Sequence, residues 1–241
     1  MANPYYAPGK QRAERVQELF GAISSKYDLV NDLQSFGLHR LWKRKLIRLV
    51  EPVVGQRGLD ICTGTGDIAR GMARSGASVV GVDFSPAMLA VARRKSKPMT
   101  PEITWVQGDA RALPFDAEQF DIATMAYGLR NLPDPVEGLR EIQRVLKPGG
   151  RIGILDFGKP RNPVWRGIFL SYLRLGVPLC GRLIAGDAAA YAYILESLRH
   201  YPGQEEVAQL MRAEGFVALR VFELLEGIMA IHVGERSHSH G

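Results

Sequence analysis

The segment LDICTGTGD, residues 59–67, places carboxylates on both sides of a glycine-rich turn. Gly64 and Gly66 allow the backbone to bend tightly and to approach a ligand closely. Asp60 ends the apolar run before the turn, and Asp67 begins the helix predicted after it. Two carboxylates at this place would repel a pyrophosphate. They favour a ligand that is cationic at its centre and lacks phosphates, such as S-adenosylmethionine.

A dinucleotide is the rival ligand, because GTGDIA also fits the pattern G-x-G-x-x-A. Asp83 ends the next apolar run, where it could accept hydrogen bonds from ribose hydroxyls, and both ligands contain a ribose. The segment GDARALPF, residues 108–115, favours S-adenosylmethionine, because Asp109 could accept from an adenine amino group beside the apolar Ala110. The alternative for Asp109 is a turn carboxylate that bonds its own backbone.

Strands and helices that alternate along the chain must position these residues. Strands are predicted over 58–62, 78–83, 103–107, 120–127 and 151–157, with helices over 68–74, 86–94 and 135–146. A helix over 205–214 and strands over 216–224 and 227–235 follow, which makes seven strands. This order predicts an α/β fold, a doubly wound, Rossmann-like sheet that binds its ligand at the carboxyl ends of the strands.

The pattern divides the chain into five parts. We predict an N-terminal helical lid and substrate segment (1–57), a cofactor-binding core (58–157), a helical cap insertion (158–201), a C-terminal helix with the last strands of the core (202–236), and a disordered tail (237–241). The cap is assigned because strands and helices no longer alternate after Phe157, and the pattern over 158–201 is mostly that of helices.

The composition is that of a folded globular protein. There are 31 Lys and Arg against 25 Asp and Glu, a net charge of +6, and 46% of the residues are hydrophobic. Two cysteines are too few for a disulfide scaffold or a Cys-rich metal site, so we expect no metal and a reducing, cytoplasmic location. We find no secretion signal and no apolar stretch of spanning length.

The order of the blocks LDICTGTGD, GVDFSPAML, GDARALPF and RVLKPGGRI resembles that of class I S-adenosylmethionine-dependent methyltransferases. Two further blocks, YDLVNDLQSFGLHRLWK (27–43) and YGLRNLPDP (127–135), narrow the resemblance to the quinone-biosynthesis C-methyltransferases, which act on demethylmenaquinone or 2-polyprenyl-6-methoxybenzoquinol. The likeness runs from about Val16 to Arg236. It implies that S-adenosylmethionine is the cofactor and is held by Thr65, Asp83, Asp109 and Ala110. Ala126 stands where such enzymes often have a cofactor-contacting serine.

The resemblance implies methylation of a quinol ring, most simply demethylmenaquinol, with the ubiquinone-pathway benzoquinol as the alternative. The ring carbon becomes nucleophilic when a neighbouring hydroxyl loses its proton, which a base, a held water or a cation can assist. Arg130 and Asn131 follow the fourth strand, and we predict that Arg130 stabilises the phenolate or positions a water. A structural ion pair, for example with Asp134, is the alternative. Tyr27 and His39 complete the candidate catalytic set, although a helix-capping or hydrogen-bonded structural role for His39 is slightly favoured.

A polyprenylated substrate is insoluble in water, which predicts a peripheral position on the inner face of the membrane. Trp165, Ile168, Phe169, Tyr172 and Leu173 recur at helical spacing in the cap beside basic residues, as in a helix that rests on anionic lipid. The basic cluster RLWKRKLIR (40–48) is either a solvated face or a second anionic contact. Tyr191 and Tyr193 could wall the quinol pocket or simply pack.

Two function classes other than a quinone methyltransferase compete. A nucleic-acid methyltransferase would suit the pI of about 9.4, but the chain has no N/D-P-P-Y/F motif and no added RNA-binding module, so we expect no nucleic-acid partner. A non-enzymatic ligand-binding module would need neither the Arg130–Asn131 pair nor a long cap. The family likeness also suggests a homodimer.

Overall fold

A computed structural model describes residues 17–18, 21, 24, 27–96, 102–176, 195–198 and 200–238. Tyr191, Tyr193 and much of the predicted cap lie outside these residues. The described strands form one seven-stranded sheet in the order β3-β2-β1-β4-β5-β7-β6. They are β1 (Arg57–Ile61), β2 (Ser78–Asp83), β3 (Thr104–Gln107), β4 (Phe120–Ala126), β5 (Leu146–Phe157), β6 (Phe216–Leu224) and β7 (Met229–Arg236). The first five strands are parallel, and β7 is antiparallel to both β5 and β6.

Helices flank this sheet, as the alternating pattern predicts. They are α1 (Tyr27–Gln34), α2 (Leu38–Val50), α3 (Asp67–Arg74), α4 (Pro86–Lys95), α5 (Pro135–Val145), α6 (Pro163–Ser171) and α7 (Gln204–Ala213), with a 3-10 turn at Leu129–Asn131 and a π-helical turn at Tyr172–Gly176. The α/β, Rossmann-like prediction is therefore confirmed.

The strand β5 begins five residues earlier than the apolar pattern predicted. Leu146 leaves α5 directly into the strand and pairs with Phe120, and an irregularity in register follows before Ile122 pairs with Arg151. The Lys-Pro-Gly-Gly sequence thus ends the helix, as expected, but it does so inside an extended strand and not in a separate loop.

Strand order reverses at the centre of the sheet, between β1 and β4. Connections leave these two neighbouring strands in opposite directions, which opens a crevice at their carboxyl ends. The residues that follow β1, β2, β3 and β4 all reach this edge, because parallel strands end on the same side.

The second helix, which lies in the predicted N-terminal lid and substrate segment (1–57), packs against the sheet. Leu46 and Val50 on α2 are fully buried. A Cβ built on Gly153 of β5 would lie 2.5 Å from Val50. The helix and the strand are therefore in close contact.

The last strand, β7, ends at Arg236. The backbone N–H of Ser237, the first residue of the predicted tail, donates to the carbonyl of Gly215 at 3.1 Å. Among the helices that the structure describes, none is long and apolar enough to cross a membrane.

Candidate functional site

The glycine turn after β1 is tied to the end of β2 by one carboxylate. Gly64, at a positive φ of 55°, donates its N–H to Asp83 Oδ2 at 2.7 Å, and Ser85 N–H donates to Oδ1 at 2.9 Å. Burial raises the pKa of Asp83. Each oxygen keeps a lone pair for a ligand. Asp83 thus shapes the turn and can still accept from a ribose.

A cleft at the carboxyl edge brings most of the predicted cofactor residues together. We call it the nucleoside cleft. It is lined by Tyr27, Ile61, Cys62, Gly64, Val82, Asp83, Phe84, Met88, Gly108, Asp109, Ala110, Arg111, Ala126, Tyr127, Gly128, Asn131, Leu132 and Pro133. Of the predicted cofactor contacts, Gly64, Asp83, Asp109, Ala110 and Ala126 all face this cleft.

Asp109 bonds the backbone of its own turn, as the alternative interpretation predicted, and it also faces the nucleoside cleft. Its Oδ1 accepts from the backbone N–H of Arg111 at 2.9 Å, and its Oδ2 forms an ion pair with the Arg111 guanidinium at 2.8 Å. Although burial opposes ionisation, the hydrogen bonds and the charge of Arg111 hold the pKa of Asp109 below its usual value. The carboxylate is therefore charged at neutral pH and fixed in place.

A smaller cavity lies beside the glycine turn, and we call it the inner cavity. Its lining is Tyr27, Lys43, Asp60, Cys62, Thr63, Gly64, Thr65, Asp67, Ile68, Ala126 and Tyr127. Two predicted cofactor residues, Asp60 and Thr65, lie here and not in the nucleoside cleft. Thr65 donates to Asp28 Oδ1 at 2.8 Å, which ties α1 to the turn.

Asp60 is buried and bonded within the protein. It accepts from the hydroxyls of Thr63 at 2.5 Å and Thr124 at 2.9 Å, and from the N–H of Ala69 at 3.1 Å. Burial raises its pKa to about 6, and these hydrogen bonds oppose the rise. Asp60 therefore fixes the start of the turn. It could contact a ligand only from the inner cavity, because it does not line the nucleoside cleft.

Gly66, another predicted cofactor residue, lies where the turn packs against a neighbouring ring. It lines neither cavity at the turn, and a Cβ built on it would lie 2.5 Å from the ring of Trp105. Its φ of 82° also lies in the left-handed region. Glycine is needed here because the turn meets an aromatic ring and adopts a backbone that side chains disfavour.

A third, apolar cavity of about 350 Å³ adjoins the other two. Its lining is Tyr27, Asn31, Gln34, Ser35, Phe36, Leu38, His39, Trp42, Tyr127, Arg130, Phe157, Trp165, Ile168, Phe169, Tyr172, Leu173, Leu225, Ile228 and Met229. The Tyr172 hydroxyl donates to the Gln34 carbonyl at 2.6 Å, so the described start of the cap is joined to α1. Tyr27 and Tyr127 line all three cavities, so the cavities meet at these two side chains.

Arg130 faces the apolar cavity from a buried ion pair. Its Nη1 lies 2.8 Å from Asp156 Oδ1, and the two side chains are 7% and 2% exposed. Arg130 thus forms a structural ion pair, as the alternative interpretation predicted, but the partner of Arg130 is Asp156 and not Asp134. Asp134 instead caps α5 by accepting from Val136 N–H at 2.8 Å. Sequence reasoning missed Asp156, although its place at the end of β5, beside β4, is a signal for it.

Arg130 and Asn131 also share one backbone target. Arg130 Nη1 and Asn131 Nδ2 each donate to the carbonyl of Tyr127 at 2.9 Å. Tyr127 adopts a positive φ of 59°, which is uncommon for a residue with a side chain. Burial raises the pKa of its phenol well above the ordinary value. The pair therefore holds a protonated tyrosine, which the sequence analysis missed, where the three cavities meet.

His39 lies in the wall of the apolar cavity as a neutral imidazole. It is buried, its Nδ1 is 2.8 Å from Ser35 Oγ, and its Nε2 is 3.7 Å from Asp32 Oδ1. Burial, followed by the charge of Lys43, lowers its pKa to about 4. Its hydrogen bond fits the structural alternative, and a base with this pKa is weak at neutral pH.

The charges around the nucleoside cleft and the inner cavity fit S-adenosylmethionine better than a dinucleotide. Four carboxylates line them: Asp60, Asp67, Asp83 and Asp109. In the part of the chain that the structure describes, the cations of these linings are Lys43 and Arg111, and each is already paired with a carboxylate. A pyrophosphate would meet excess negative charge, whereas a sulfonium nucleoside would not.

Comparison with known proteins agrees with this geometry. The model of the ubiE/COQ5 methyltransferase family matches residues 9–236. A ubiquinone/menaquinone biosynthesis C-methyltransferase, UbiE, from Ectopseudomonas mendocina is 42% identical over 236 residues, which cover 94% of this chain and 91% of that protein.

Solved structures resemble the chain at the level of the fold. A methyltransferase from Thermotoga maritima, described as S-adenosylmethionine-dependent and possibly acting on histamine, superposes with a TM-score of 0.66 at 20% identity, covering 91% of this chain and 99% of the other. A Haemonchus contortus phosphoethanolamine N-methyltransferase in complex with S-adenosyl-L-methionine superposes with a TM-score of 0.61 at 19% identity. The match covers 83% of this chain and 53% of the other.

Proposed function

The chain belongs to the ubiE/COQ5 methyltransferase family, and on that premise we propose that it methylates a ring carbon of polyprenylated demethylmenaquinol. Membership makes it an S-adenosylmethionine-dependent C-methyltransferase of quinone biosynthesis. The name of its relatives covers both the ubiquinone and the menaquinone pathway, so the naphthoquinol is the finer part of the proposal. The observation that carries it is the meeting of a nucleoside cleft with an apolar cavity at Tyr27 and Tyr127.

The walls of the apolar cavity suit a flat, fused ring. Phe157 and Phe169 stack with their centroids 6.2 Å apart and their planes at 27°, and Tyr127 lies 6.3 Å from Phe157. Aromatic faces favour offset stacking on another aromatic system. A naphthoquinol presents two fused rings to these faces, whereas the benzoquinol of the ubiquinone pathway presents one.

The side chains around the junction supply alignment and charge. When bound, S-adenosylmethionine supplies an electrophilic methyl carbon. Asp83 and Asp109 hold the nucleoside, and Tyr27 and Tyr127 border the passage to the quinol. Arg130 stays protonated and stabilises the phenolate that forms when a ring hydroxyl gives its proton to water. Asp156 keeps the guanidinium oriented.

The choice of quinol can be tested with methyl-labelled S-adenosylmethionine and two reduced substrates that carry the same prenyl chain. We expect label to enter demethylmenaquinol with a higher kcat/KM than 2-polyprenyl-6-methoxybenzoquinol, because the fused ring contacts more of the aromatic wall. A preference for the benzoquinol would overturn the menaquinone assignment. Label in total RNA, with none in either quinol, would support the nucleic-acid alternative.

We also propose that the mouth of the apolar cavity rests on a membrane surface. Phe36 and Ile168 both line the cavity, yet they are 83% and 55% exposed. A polyprenyl tail must pass from the bilayer into the cavity, and exposed apolar side chains at its entrance would shorten that path. The cytoplasmic location and the homodimer stay predictions.

Vesicle co-sedimentation at low salt tests this contact. The wild-type protein is expected to bind vesicles that contain anionic lipid, and Phe36→Ser with Ile168→Ser should reduce binding severalfold because the apolar contact is lost. Val54→Ser is a matched control, since Val54 is 81% exposed but is not part of the cavity lining. Equal binding by all three proteins, or no binding by the wild type, would rule the contact out.

A further inference from the structure

Lys43 differs from the other cations of α2 in its surroundings. Its side chain is 12% exposed, and its Nζ lies 2.8 Å from Asp67 Oδ2. The same nitrogen lies 6.0 Å from the centroid of the Tyr127 ring. Arg44 and Arg48, on the same helix, are exposed. Lys43 belongs to the basic cluster of residues 40–48 in the sequence, but it lies in the wall of the inner cavity.

The arrangement of the three cavities indicates which part of the cofactor would reach Lys43. Asp83 and Asp109 mark the nucleoside end, in the nucleoside cleft. The methyl group must face the apolar cavity at Tyr27 and Tyr127. The remaining part, the amino acid tail with its ammonium and carboxylate groups, is left to the inner cavity, which shares Cys62 and Gly64 with the nucleoside cleft.

The charges of the inner cavity match such a zwitterion. Its lining holds the carboxyl groups of Asp60 and Asp67, which suit an ammonium group, and Lys43, which suits a carboxylate. Arg111, the other cation in the described linings of the nucleoside cleft and the inner cavity, lies at the nucleoside end, 2.8 Å from Asp109 and 3.7 Å from Glu137. Lys43 is therefore the cation placed for the tail.

Asp67 does not depend on Lys43 alone. Arg70 also forms an ion pair with it, and Arg70 Nη1 donates to the Thr65 carbonyl at 2.7 Å. Burial opposes ionisation of Asp67, but Lys43 and Arg70 outweigh it and hold the pKa of Asp67 below its usual value. Lys43 can therefore turn toward a ligand while Arg70 still neutralises Asp67.

We propose that Lys43 binds the carboxylate of the amino acid tail of S-adenosylmethionine. The consequence is a link between the two substrates through one helix. His39 and Trp42 on α2 line the apolar cavity, and Lys43 on the same helix lines the inner cavity. A bound cofactor would thus hold the helix that forms one wall of the quinol site.

Calorimetric titration with two cofactors tests the assignment. Decarboxylated S-adenosylmethionine keeps the nucleoside, sulfonium and ammonium groups but lacks the carboxylate. For Lys43→Met we expect affinity for S-adenosylmethionine to fall at least about tenfold, because a charge-assisted hydrogen bond is lost. Affinity for the decarboxylated compound should change by less than about twofold, since no ligand group faces residue 43.

Lys45→Met is the matched control, because Lys45 lies on the same helix and its Nζ is 5.4 Å from the Phe222 ring, outside the inner cavity. It should leave both affinities unchanged. Equal losses for both ligands in Lys43→Met would show that Lys43 only supports the glycine turn, and unchanged affinities would also overturn the proposal. The titration involves no quinol, so its outcome is independent of the proposed substrate.

Discussion

Arg130→Ala is expected to lower the free energy of unfolding by about 3–5 kcal/mol and to abolish turnover. The stability loss follows because Asp156, 2% exposed, would be left as a buried charge without its ion-pair partner. Turnover is lost because no cation remains beside the ring hydroxyl. Urea unfolding measures the first effect, and methyl transfer to the quinol measures the second.

A second variant separates folding from chemistry if Arg130→Ala does not fold. Arg130→Met combined with Asp156→Asn removes both charges, so most of the stability should return. Turnover should not return, because the guanidinium is still missing. Recovered turnover in this double variant would show that Arg130 is structural only.

Arg140→Ala is the control for removing an arginine from an ion pair. Arg140 pairs with Glu214 at 3.2 Å, but its side chain is 65% exposed. Exposed ion pairs contribute little to stability, so the free energy of unfolding should change by less than about 1 kcal/mol. A loss as large as that of Arg130→Ala would contradict the role that we give to burial.

Asp83→Ala is expected to weaken the binding of S-adenosylhomocysteine about 100-fold. The variant removes the carboxylate that can accept from the ribose hydroxyls, and it also removes the acceptor of the Gly64 N–H. Titration calorimetry measures the affinity. Asp116→Ala should bind normally, because Asp116 accepts from Gln119 at 2.8 Å and is not part of the nucleoside cleft lining.

Together the two variants test the map of the site. Asp83→Ala should lose affinity first, whereas the Arg130 double variant should lose turnover and keep affinity for S-adenosylhomocysteine. Should the two effects be exchanged, the assignment of the nucleoside cleft and the apolar cavity to cofactor and quinol is wrong. Tight binding of NAD by the wild type would restore the dinucleotide alternative.

The sequence by itself determined the features that depend on neighbours along the chain. The glycine turn with Gly64 and the carboxylate at the end of β2 were both predicted, because each follows from a few adjacent residues. The order of strands and helices followed for the same reason, since apolar periodicity is a local property.

Only the tertiary structure decided which distant groups meet. Asp134 is four residues from Arg130, yet the buried partner is Asp156, 26 residues away, because β4 and β5 are neighbours in the sheet. In the sequence, Lys43 is one of several cations in a basic cluster. In the structure, α2 packs beside the glycine turn and brings Lys43 to Asp67. Burial and pairing of charges depend on contacts between elements, and the sequence of either element alone does not specify those contacts.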